Sequence, residues 1–177
     1  MENERQSFNK VLIMILLLGG LEMNSNAYAQ SSLSSNATVK ISALNGLTIL
    51  KVRDLNYGIV PQNSTATIAV TDAQTGKFTV VGTKTKNVIT TLTPPATLTN
   101  GSNSITYTAQ ASFNNLADNP ATATEWIPAS GVKAGFRPSA NTSGNIGEFY
   151  IYIYGSITVG NVPAGTYTGV FTVSVSY

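Results

Sequence analysis

Polar and apolar residues alternate most regularly along the C-terminal stretch from Gly165 to Tyr177. One parity carries hydroxyl side chains, with Val170 as the exception, and the other carries large apolar ones. Because successive side chains of a strand point to opposite faces, this pattern predicts a strand with one buried face. Burial of the apolar set is worth about 8–15 kcal/mol, at about 1.5–3 kcal/mol each. We therefore expect a core C-terminal strand that buries Tyr167, Phe171, Val173, Val175 and Tyr177.

A second long alternation runs from Glu148 to Val159. Its odd positions are apolar, apart from one glycine, and predict the core face of a strand. Its even positions include Tyr150, Tyr152 and Tyr154, which are predicted to form a row on the solvent side. Only the short link 160–165 separates this strand from the C-terminal one, so we expect the two to pair as a hairpin.

Shorter strand patterns recur about every ten residues, with turn residues between them. Asn100-Gly101 supplies the positive φ of a hairpin turn. No sustained apolar period of 3.6 residues occurs after residue 29. The pattern therefore predicts an all-β fold, an antiparallel β-sandwich. The shorter predicted strands are 37–43, 47–52, 54–60, 66–70, 77–82, 88–92, 97–99 and 104–109.

Residues 114–147 interrupt this rhythm with a long segment rich in Asn, Pro, Ala, Ser and Gly. A loop of this length is uncommon inside a compact domain and is often functional. Two interpretations fit it. One is a surface excursion that is pinned down by Trp126, Ile127 and Phe136, which we favour. The other is a binding loop.

The first 29 residues have the pattern of a secretory signal peptide. Arg5 and Lys10 precede the apolar run 11–18, and Ala27-Tyr28-Ala29 supplies the small residues for cleavage after Ala29. The run is shorter than the about 20 residues that span a bilayer, and an uncleaved anchor is the disfavoured alternative. We therefore expect one domain, residues 30–177, exported to the periplasm, the outer surface or the extracellular space, without a transmembrane span.

The composition removes several kinds of chemistry. The chain has no His and no Cys, so it offers no imidazole base, no thiolate nucleophile and no thiolate metal ligand. The net charge is only +2, and the basic residues are too scattered for a nucleic-acid surface. Glu125 and Glu148 are the carboxylates from which a glycosidase pair would be built, but solvated acids are the favoured interpretation. We expect no catalytic site, no cofactor and no metal.

The first predicted strand places Val39, Ile41 and Ala43 on one parity. Such a strand fills a groove by adding its backbone to a sheet edge and its alternate side chains to pockets. In the favoured interpretation it is the first strand of its own sandwich. In the other it is a strand-exchange segment that completes the sheet of a neighbouring copy.

Four motifs in the same order resemble elements of a bacterial secreted family known as domain of unknown function 4402. The similarity covers nearly all of residues 30–177 except 114–147, and it implies an immunoglobulin-like or pilin-like β-sandwich, distantly similar to fimbrial and spore-coat-U-like subunits. The family has no established activity. The terminal position of Tyr177 and the absence of cysteine depart from fimbrial subunits. The motifs are Leu55–Ile59 (LNYGI), Phe78–Gly82 (FTVVG), Ile153–Val159 (IYGSITV), and Ala164–Gly169 (AGTYTG) followed by Val173, Val175 and Tyr177.

Two classes of function fit these observations. The first is a secreted or cell-surface structural protein without enzymatic activity, a fimbrial or adhesin-like subunit whose partners are like subunits or other cell-surface proteins. The second is a free-standing β-sandwich module that binds a glycan or another ligand. The candidates for surface contact in the second class are Tyr150, Tyr152, Tyr154 and Trp126.

Overall fold

The computed structural model describes residues 28–33 and 46–177 of the chain. These residues are almost entirely β-structure, with one short 3₁₀ helix at Pro120–Thr122 within the described ranges. The all-β prediction is therefore confirmed. The strands are β1 (Tyr28–Leu33), β2 (Thr48–Arg53), β3 (Leu55–Pro61), β4 (Ser64–Ile68), β5 (Gly76–Thr83), β6 (Val88–Thr93), β7 (Thr97–Asn100), β8 (Asn103–Asn114), β9 (Thr124–Glu125), β10 (Gly131–Phe136), β11 (Ala140–Ser143), β12 (Ile146–Val159), β13 (Thr166–Tyr167) and β14 (Thr172–Ser176).

Two predictions fall mainly on residues outside the described ranges. The predicted signal peptide, residues 1–29, is described only at Tyr28 and Ala29, which open β1. The predicted strand 37–43, with Val39, Ile41 and Ala43, lies wholly outside the described residues. Both stay predictions.

β12 is the central strand of the largest sheet, which has the order β2-β5-β12-β8-β7. One edge of β12 pairs with β5 and then with β4, and the other edge pairs with β8. β11 pairs with the start of β12, and β9 pairs with β8. A single strand thus pairs with four neighbours, and the large side chains of its odd face are fully buried.

Gly155 lies where the β12 edge changes partner from β5 to β4. Its φ is 131°, and a Cβ at this position would lie 2.1 Å from the carbonyl oxygen of Thr108 on β8. Only glycine tolerates both this backbone conformation and such a close approach of a neighbouring strand. Gly155 therefore permits one continuous strand to serve both halves of the sheet.

Two smaller sheets, β10-β6-β14 and β13-β1-β3, complete the described fold. The pairing of β1 with β13 is parallel, and the other strand pairs of the described residues are antiparallel. One hydrophobic core is shared by the three sheets, as expected for a β-sandwich. Its fully buried members include Phe78 and Phe149 of the large sheet, Val173 of the second, and Leu55 and Tyr167 of the third.

The C-terminal region has the predicted burial pattern but not the predicted continuity. Tyr167, Phe171, Val173 and Val175 are buried, whereas Tyr177 is half-buried and its hydroxyl accepts a hydrogen bond from the amide of Thr83. The prediction of a single long strand is wrong, because β13 and β14 belong to different sheets. The hairpin with β12 is also wrong, because β14 pairs with β6. Alternation identifies the face of a side chain but not the neighbouring strand.

The predicted hairpin around Asn100-Gly101 is confirmed: β7 and β8 pair in register, with Gly101 at a φ of 59°. The segment 114–147 contains β9, β10 and β11 and is not a structureless loop. Trp126 and Phe136 are buried in the shared core and pin this segment, as predicted. Ile127 does not contribute, because 70% of it is exposed.

Candidate functional site

The three tyrosines predicted to be exposed are buried instead. Tyr150, Tyr152 and Tyr154 retain 2%, 2% and 8% of their accessible surface. Tyr150 and Tyr152 lie on the predicted parity, opposite the core residues Phe149, Ile151 and Ile153, whereas Tyr154 belongs to the shared core itself. The exposure of Tyr150 and Tyr152 was predicted wrongly because part of the segment 114–147 covers them, with Ala140 and Ala123 packed against this pair of rings.

The covering segment begins with a compact turn built around Asn114, the last residue of β8. Its side-chain oxygen accepts hydrogen bonds from the amides of Leu116 and Ala117, both at 3.0 Å. Its side-chain nitrogen donates to the carbonyl of Asn119 at 2.9 Å and to Thr122 Oγ1 at 3.0 Å. Asn side chains favour such local turns because they replace backbone partners. The turn brings Asp118 back over the sheet.

Asp118 joins the covering segment to two strands of the large sheet. One carboxylate oxygen accepts a hydrogen bond from the hydroxyl of Tyr152 at 3.0 Å, and the other accepts from Lys77 Nζ at 2.5 Å. Lys77 lies directly across from Tyr152 in the β5–β12 register, and its ammonium also lies 5.0 Å from the centre of the Tyr150 ring. A cation near an aromatic face is attracted by the ring.

A second set of hydrogen bonds closes around the hydroxyl of Tyr150. This hydroxyl donates to Glu148 Oε2 at 2.6 Å and accepts from Asn141 Nδ2 at 2.7 Å. The same amide donates to Glu148 Oε2 at 3.0 Å. Asn141 has a φ of 43°, a left-handed conformation that Asn tolerates better than most residues. We call Lys77, Asp118, Asn141, Glu148, Tyr150 and Tyr152 the tyrosine cluster.

The electrostatics of the tyrosine cluster keep its hydroxyls protonated. Burial, followed by the hydrogen bond and charge of Glu148, raises the pKa of Tyr150 well above its usual range. Burial, followed by the hydrogen bond and charge of Asp118, raises the pKa of Tyr152 in the same way, with a smaller opposing effect of Arg53. Each tyrosine is therefore a fixed hydrogen-bond donor to a carboxylate.

The other two aromatic candidates are also engaged inside the fold. Tyr154 exchanges a 2.8 Å hydrogen bond with Ser112. Trp126 is 2% exposed and packs against Phe113 and Phe136, with ring centres 6.1 and 5.3 Å apart. Lys133 Nζ lies 5.7 Å from the centre of the Trp126 ring. None of the four rings proposed for surface contact presents a face to solvent.

The structure does not bring Glu125 and Glu148 together. Glu125 on β9 pairs with Ser112 on β8, which pairs with Tyr152 on β12. Glu148 therefore lies two strand spacings away from Glu125, about 10 Å, and a further four residues along β12, about 13 Å. Catalytic carboxylate pairs of glycosidases lie about 5–9.5 Å apart. In the described part of the chain no group of three or more acidic residues is placed to hold a metal ion. No helix within that part has the length and hydrophobicity to cross a membrane.

A second surface occupies the other half of the outer face of the large sheet. There the strand registers align hydroxyl side chains across β4, β12, β8 and β7, and the row through Thr158 contains threonine on all four strands. All members except the half-buried Ser156 are exposed, and none is charged. We call this set the threonine face: Thr65, Thr67, Thr97, Thr99, Ser104, Thr106, Thr108, Ser156 and Thr158.

The sequence interpretation missed most of the residues that organise the tyrosine cluster. Lys77, Asp118 and Asn141 are separated along the chain from Tyr150 and Tyr152. The pairing register of β5 with β12 places Lys77, and alternation within either strand does not determine that register. The one local signal was the Asn-rich run at 114–119, which is typical of turns.

Comparison with known proteins adds no family assignment. No protein-family model matches the chain, and no relative was found among curated proteins.

Proposed function

We propose that this protein is an exported structural protein of the bacterial cell surface, a fimbrial or adhesin-like subunit without enzymatic activity. The proposal includes membership of the secreted family that the four motifs resemble. In the structure these motifs fall on β3, on β5, on β12 and on the stretch from β13 to β14. All four contribute fully buried side chains to one core, so the resemblance rests on residues that a shared fold would need.

The observation that carries the proposal is that the tyrosine cluster connects the covering segment to the large sheet. Its hydroxyl, carboxylate, amide and ammonium groups bond one another. These bonds fasten the covering segment to the sheet. A cluster with this arrangement contributes to mechanical stability, which is the requirement of a surface subunit.

The threonine face supports association with like subunits. It is a broad uncharged surface on a chain of low net charge, so two copies meet without repulsion between like charges. Its hydroxyls offer donors and acceptors of the kind that the polar parts of protein interfaces use.

The alternative function is a free-standing module that binds a glycan. The buried rings remove the aromatic surface on which that prediction depended. The exposed hydroxyls of the threonine face are the observation that still favours it, because each hydroxyl can both donate and accept hydrogen bonds to sugar hydroxyls.

The test is to express the full chain with its own leader and to analyse material from the cell surface and from the medium. A structural subunit should be recovered as surface-attached or high-mass material in size-exclusion chromatography and electron microscopy. Thr106→Glu should reduce that assembly, because it places a charge at the centre of the threonine face. Thr85→Glu, in an exposed turn outside that face, is the matched control.

Three outcomes would contradict the structural role. A monomer that is retained by immobilised glycans, with retention lost in Thr106→Glu, would establish the alternative. A monomer that is neither assembled nor retained would exclude both functions. Turnover of a polysaccharide by both the unsubstituted protein and the Thr106→Glu variant would show that the protein is an enzyme.

A further inference from the structure

Residues 115–123, which we call the Asp118 loop, leave the large sheet and return to it at neighbouring positions. They follow Asn114, the last residue of β8, and precede β9, whose Thr124 pairs with Phe113 of β8. Compact loops of this length whose ends lie close together are Ω-loops, which are frequently functional. None of the residues of this loop is buried, and Leu116 is 74% exposed. Burial of apolar side chains therefore contributes little to holding the loop on the sheet.

The hydrogen bonds of the Asp118 loop lie mostly within the loop and at its base. The side chain of Asn114 bonds to two amides and one carbonyl of the loop. Asn119 Oδ1 accepts a hydrogen bond from the amide of Ala121 at 3.0 Å. These bonds keep the shape of the loop whether or not it touches the sheet, whereas the side chain of Asp118 bonds to the outer face of the sheet. The loop is thus built as a rigid unit with a polar latch.

The contacts of Asp118 show that the sheet itself offers a site for a carboxylate. Lys77 of β5 and Tyr152 of β12 face each other in the strand register, and each binds a different oxygen of Asp118, at 2.5 and 3.0 Å. Hydrogen bonds between charged groups and carboxylates are among the strong ones in proteins. Arg53 of β2 lies opposite Lys77 and adds a second positive charge. All three side chains belong to strands of the large sheet, so the site persists when the loop moves.

Two aromatic rings lie beside this carboxylate site. Tyr150 and Tyr152 pack in one cluster with Ala123 of the loop against them, so opening of the loop exposes ring surface. The neighbouring acid, Glu148, is already bound by the hydroxyl of Tyr150 at 2.6 Å. Aromatic faces next to a few fixed polar groups are the usual composition of a ligand site.

We propose that the sheet binds an acidic polysaccharide at this site, and that the Asp118 loop closes the site by placing its own carboxylate where that of a uronic acid binds. Opening of the loop releases Lys77 and the hydroxyl of Tyr152 to the carboxylate of the ligand. It also offers an aromatic face to the sugar. An acidic sugar suits the site better than a peptide carboxylate does, because its ring presents a flat surface to the tyrosine.

This inference goes beyond the structural role proposed above and does not use the threonine face. The tethered carboxylate of Asp118 competes with the ligand at an effective concentration of about a millimolar or more. The apparent affinity for the ligand therefore falls with the fraction of molecules in which the loop is open. Removal of the Asp118 carboxylate should accordingly raise the affinity for an acidic sugar, which an ion pair with a purely structural role does not predict.

The test measures the binding of a galacturonic acid trimer to the full chain by isothermal titration calorimetry. Asp118→Ala, which vacates the site, should bind the trimer at least about tenfold more tightly than the unsubstituted protein. Lys77→Met in the Asp118→Ala background removes the cation and should abolish the binding. The fluorescence of Trp126 checks that each variant is folded.

Glu125→Ala is the matched control, because it removes an exposed carboxylate from β9, at the base of the same loop. It should leave the affinity unchanged. The neutral galactose trimer should not bind to Asp118→Ala, and acetate should bind to it at least about tenfold more weakly than the acidic trimer, because acetate makes fewer contacts.

Four outcomes would overturn the proposal. They are a folded Asp118→Ala that does not bind the acidic trimer, equal binding of the neutral trimer, an equal gain of affinity in Glu125→Ala, and acetate that binds as tightly as the acidic trimer.

Nuclear magnetic resonance of the unsubstituted protein locates the site without any substitution. At a high concentration of the acidic trimer, the amide signals of Lys77, Asp118 and Tyr152 should shift, and those of Thr106 and Thr158 should not. Shifts confined to the threonine face would overturn this inference and favour the alternative function instead. Absence of any shift would overturn it as well, while the proposed structural role is decided separately by the assembly measurement.

Discussion

The two halves of the outer face of the large sheet share the central strand β12, but their side chains have different roles. Tyr150 and Tyr152 lie in one half of β12, and Ser156 and Thr158 continue the same parity in the other. The tyrosines are covered by the segment after β8 and bonded to Asp118 and to Glu148, whereas Thr158 remains exposed. The difference shows that parity assigns a face, while the covering segment decides whether that face becomes a second core or a surface.

The energetic contrast follows from the side chains. A large apolar side chain gains about 1.5–3 kcal/mol when it is covered, and a hydrogen bond to a charged group adds about 1.5–3 kcal/mol. An exposed threonine has neither term. We therefore expect substitutions in the two halves to differ severalfold in their effect on the free energy of unfolding.

The largest expected effect is that of Tyr152→Ala in the tyrosine cluster. It removes a buried ring and the hydrogen bond to Asp118, and should lower the free energy of unfolding by about 3–5 kcal/mol. Thr106→Ala in the threonine face should change it by less than about 0.5 kcal/mol. Urea denaturation measures both, and equal effects would remove the distinction between the halves.

The boundary between the halves should be nearly as sensitive. Gly155→Ala adds a Cβ against the Thr108 carbonyl at a φ of 131°, and should cost about 3 kcal/mol. Gly160→Ala is the control, because nothing lies within 4 Å of its Cβ position. If thermal unfolding places the two variants within one degree of each other, Gly155 does not have the role assigned to it.

Alkaline pH should weaken the fold through its buried tyrosines. Burial is the main cause that raises the pKa of Tyr57, Tyr107, Tyr150 and Tyr152. Up to about pH 10 the folded and unfolded chains keep the same phenol protons. Above it the unfolded chain releases protons that the folded chain retains, so stability falls by up to about 1.4 kcal/mol per pH unit for each such tyrosine.

Tyr152→Phe should make this loss shallower, and Thr106→Ala should leave its slope unchanged. Urea titrations at pH values from about 9 to about 11, a range that brackets the usual tyrosine pKa of about 10, provide the measurement. A slope that is the same in all three proteins would show that the Tyr152 pKa is not raised by folding.

The smallest expected effect is that of Asp118→Asn. The Asp118 side chain is 46% exposed, so its ion pair with Lys77 is screened, and its loss should cost less than about 1 kcal/mol. The difference should shrink in high salt. Glu125→Gln, on an exposed strand, is the control. An Asp118→Asn effect as large as that of Tyr152→Ala would mean that the ion pair, rather than the Tyr152 ring, holds the covering segment on the sheet.

The sequence predicted the features that depend on local periodicity. The strands from β2 to β8, the core parity of β12 and the β7–β8 turn follow from alternation and turn residues, whereas β1, β9, β10 and β11 were not predicted. It failed where a distant segment decides the outcome. Tyr150 has the same local pattern whether or not Ala140 packs on it, and β14 has the same alternation whether it pairs with β12 or with β6.

The tyrosine cluster was unpredictable for the same reason. Its members come from β5, β11, β12 and the turn after Asn114, and they meet only through two strand registers and one turn. Single-strand patterns contain none of this information. Hydrophobicity alone predicts Ile127 to be an anchor, but it is exposed while its neighbour Trp126 is buried in the core.

The position of Trp126 makes the protein its own spectroscopic probe. It is the one tryptophan of the chain, and its indole is enclosed by Phe113, Phe136 and the ammonium of Lys133. Intrinsic fluorescence excited at the indole band therefore reports the detachment of a single segment, whereas circular dichroism reports the whole sandwich. The two signals, recorded on one unlabelled sample, separate local opening from global unfolding.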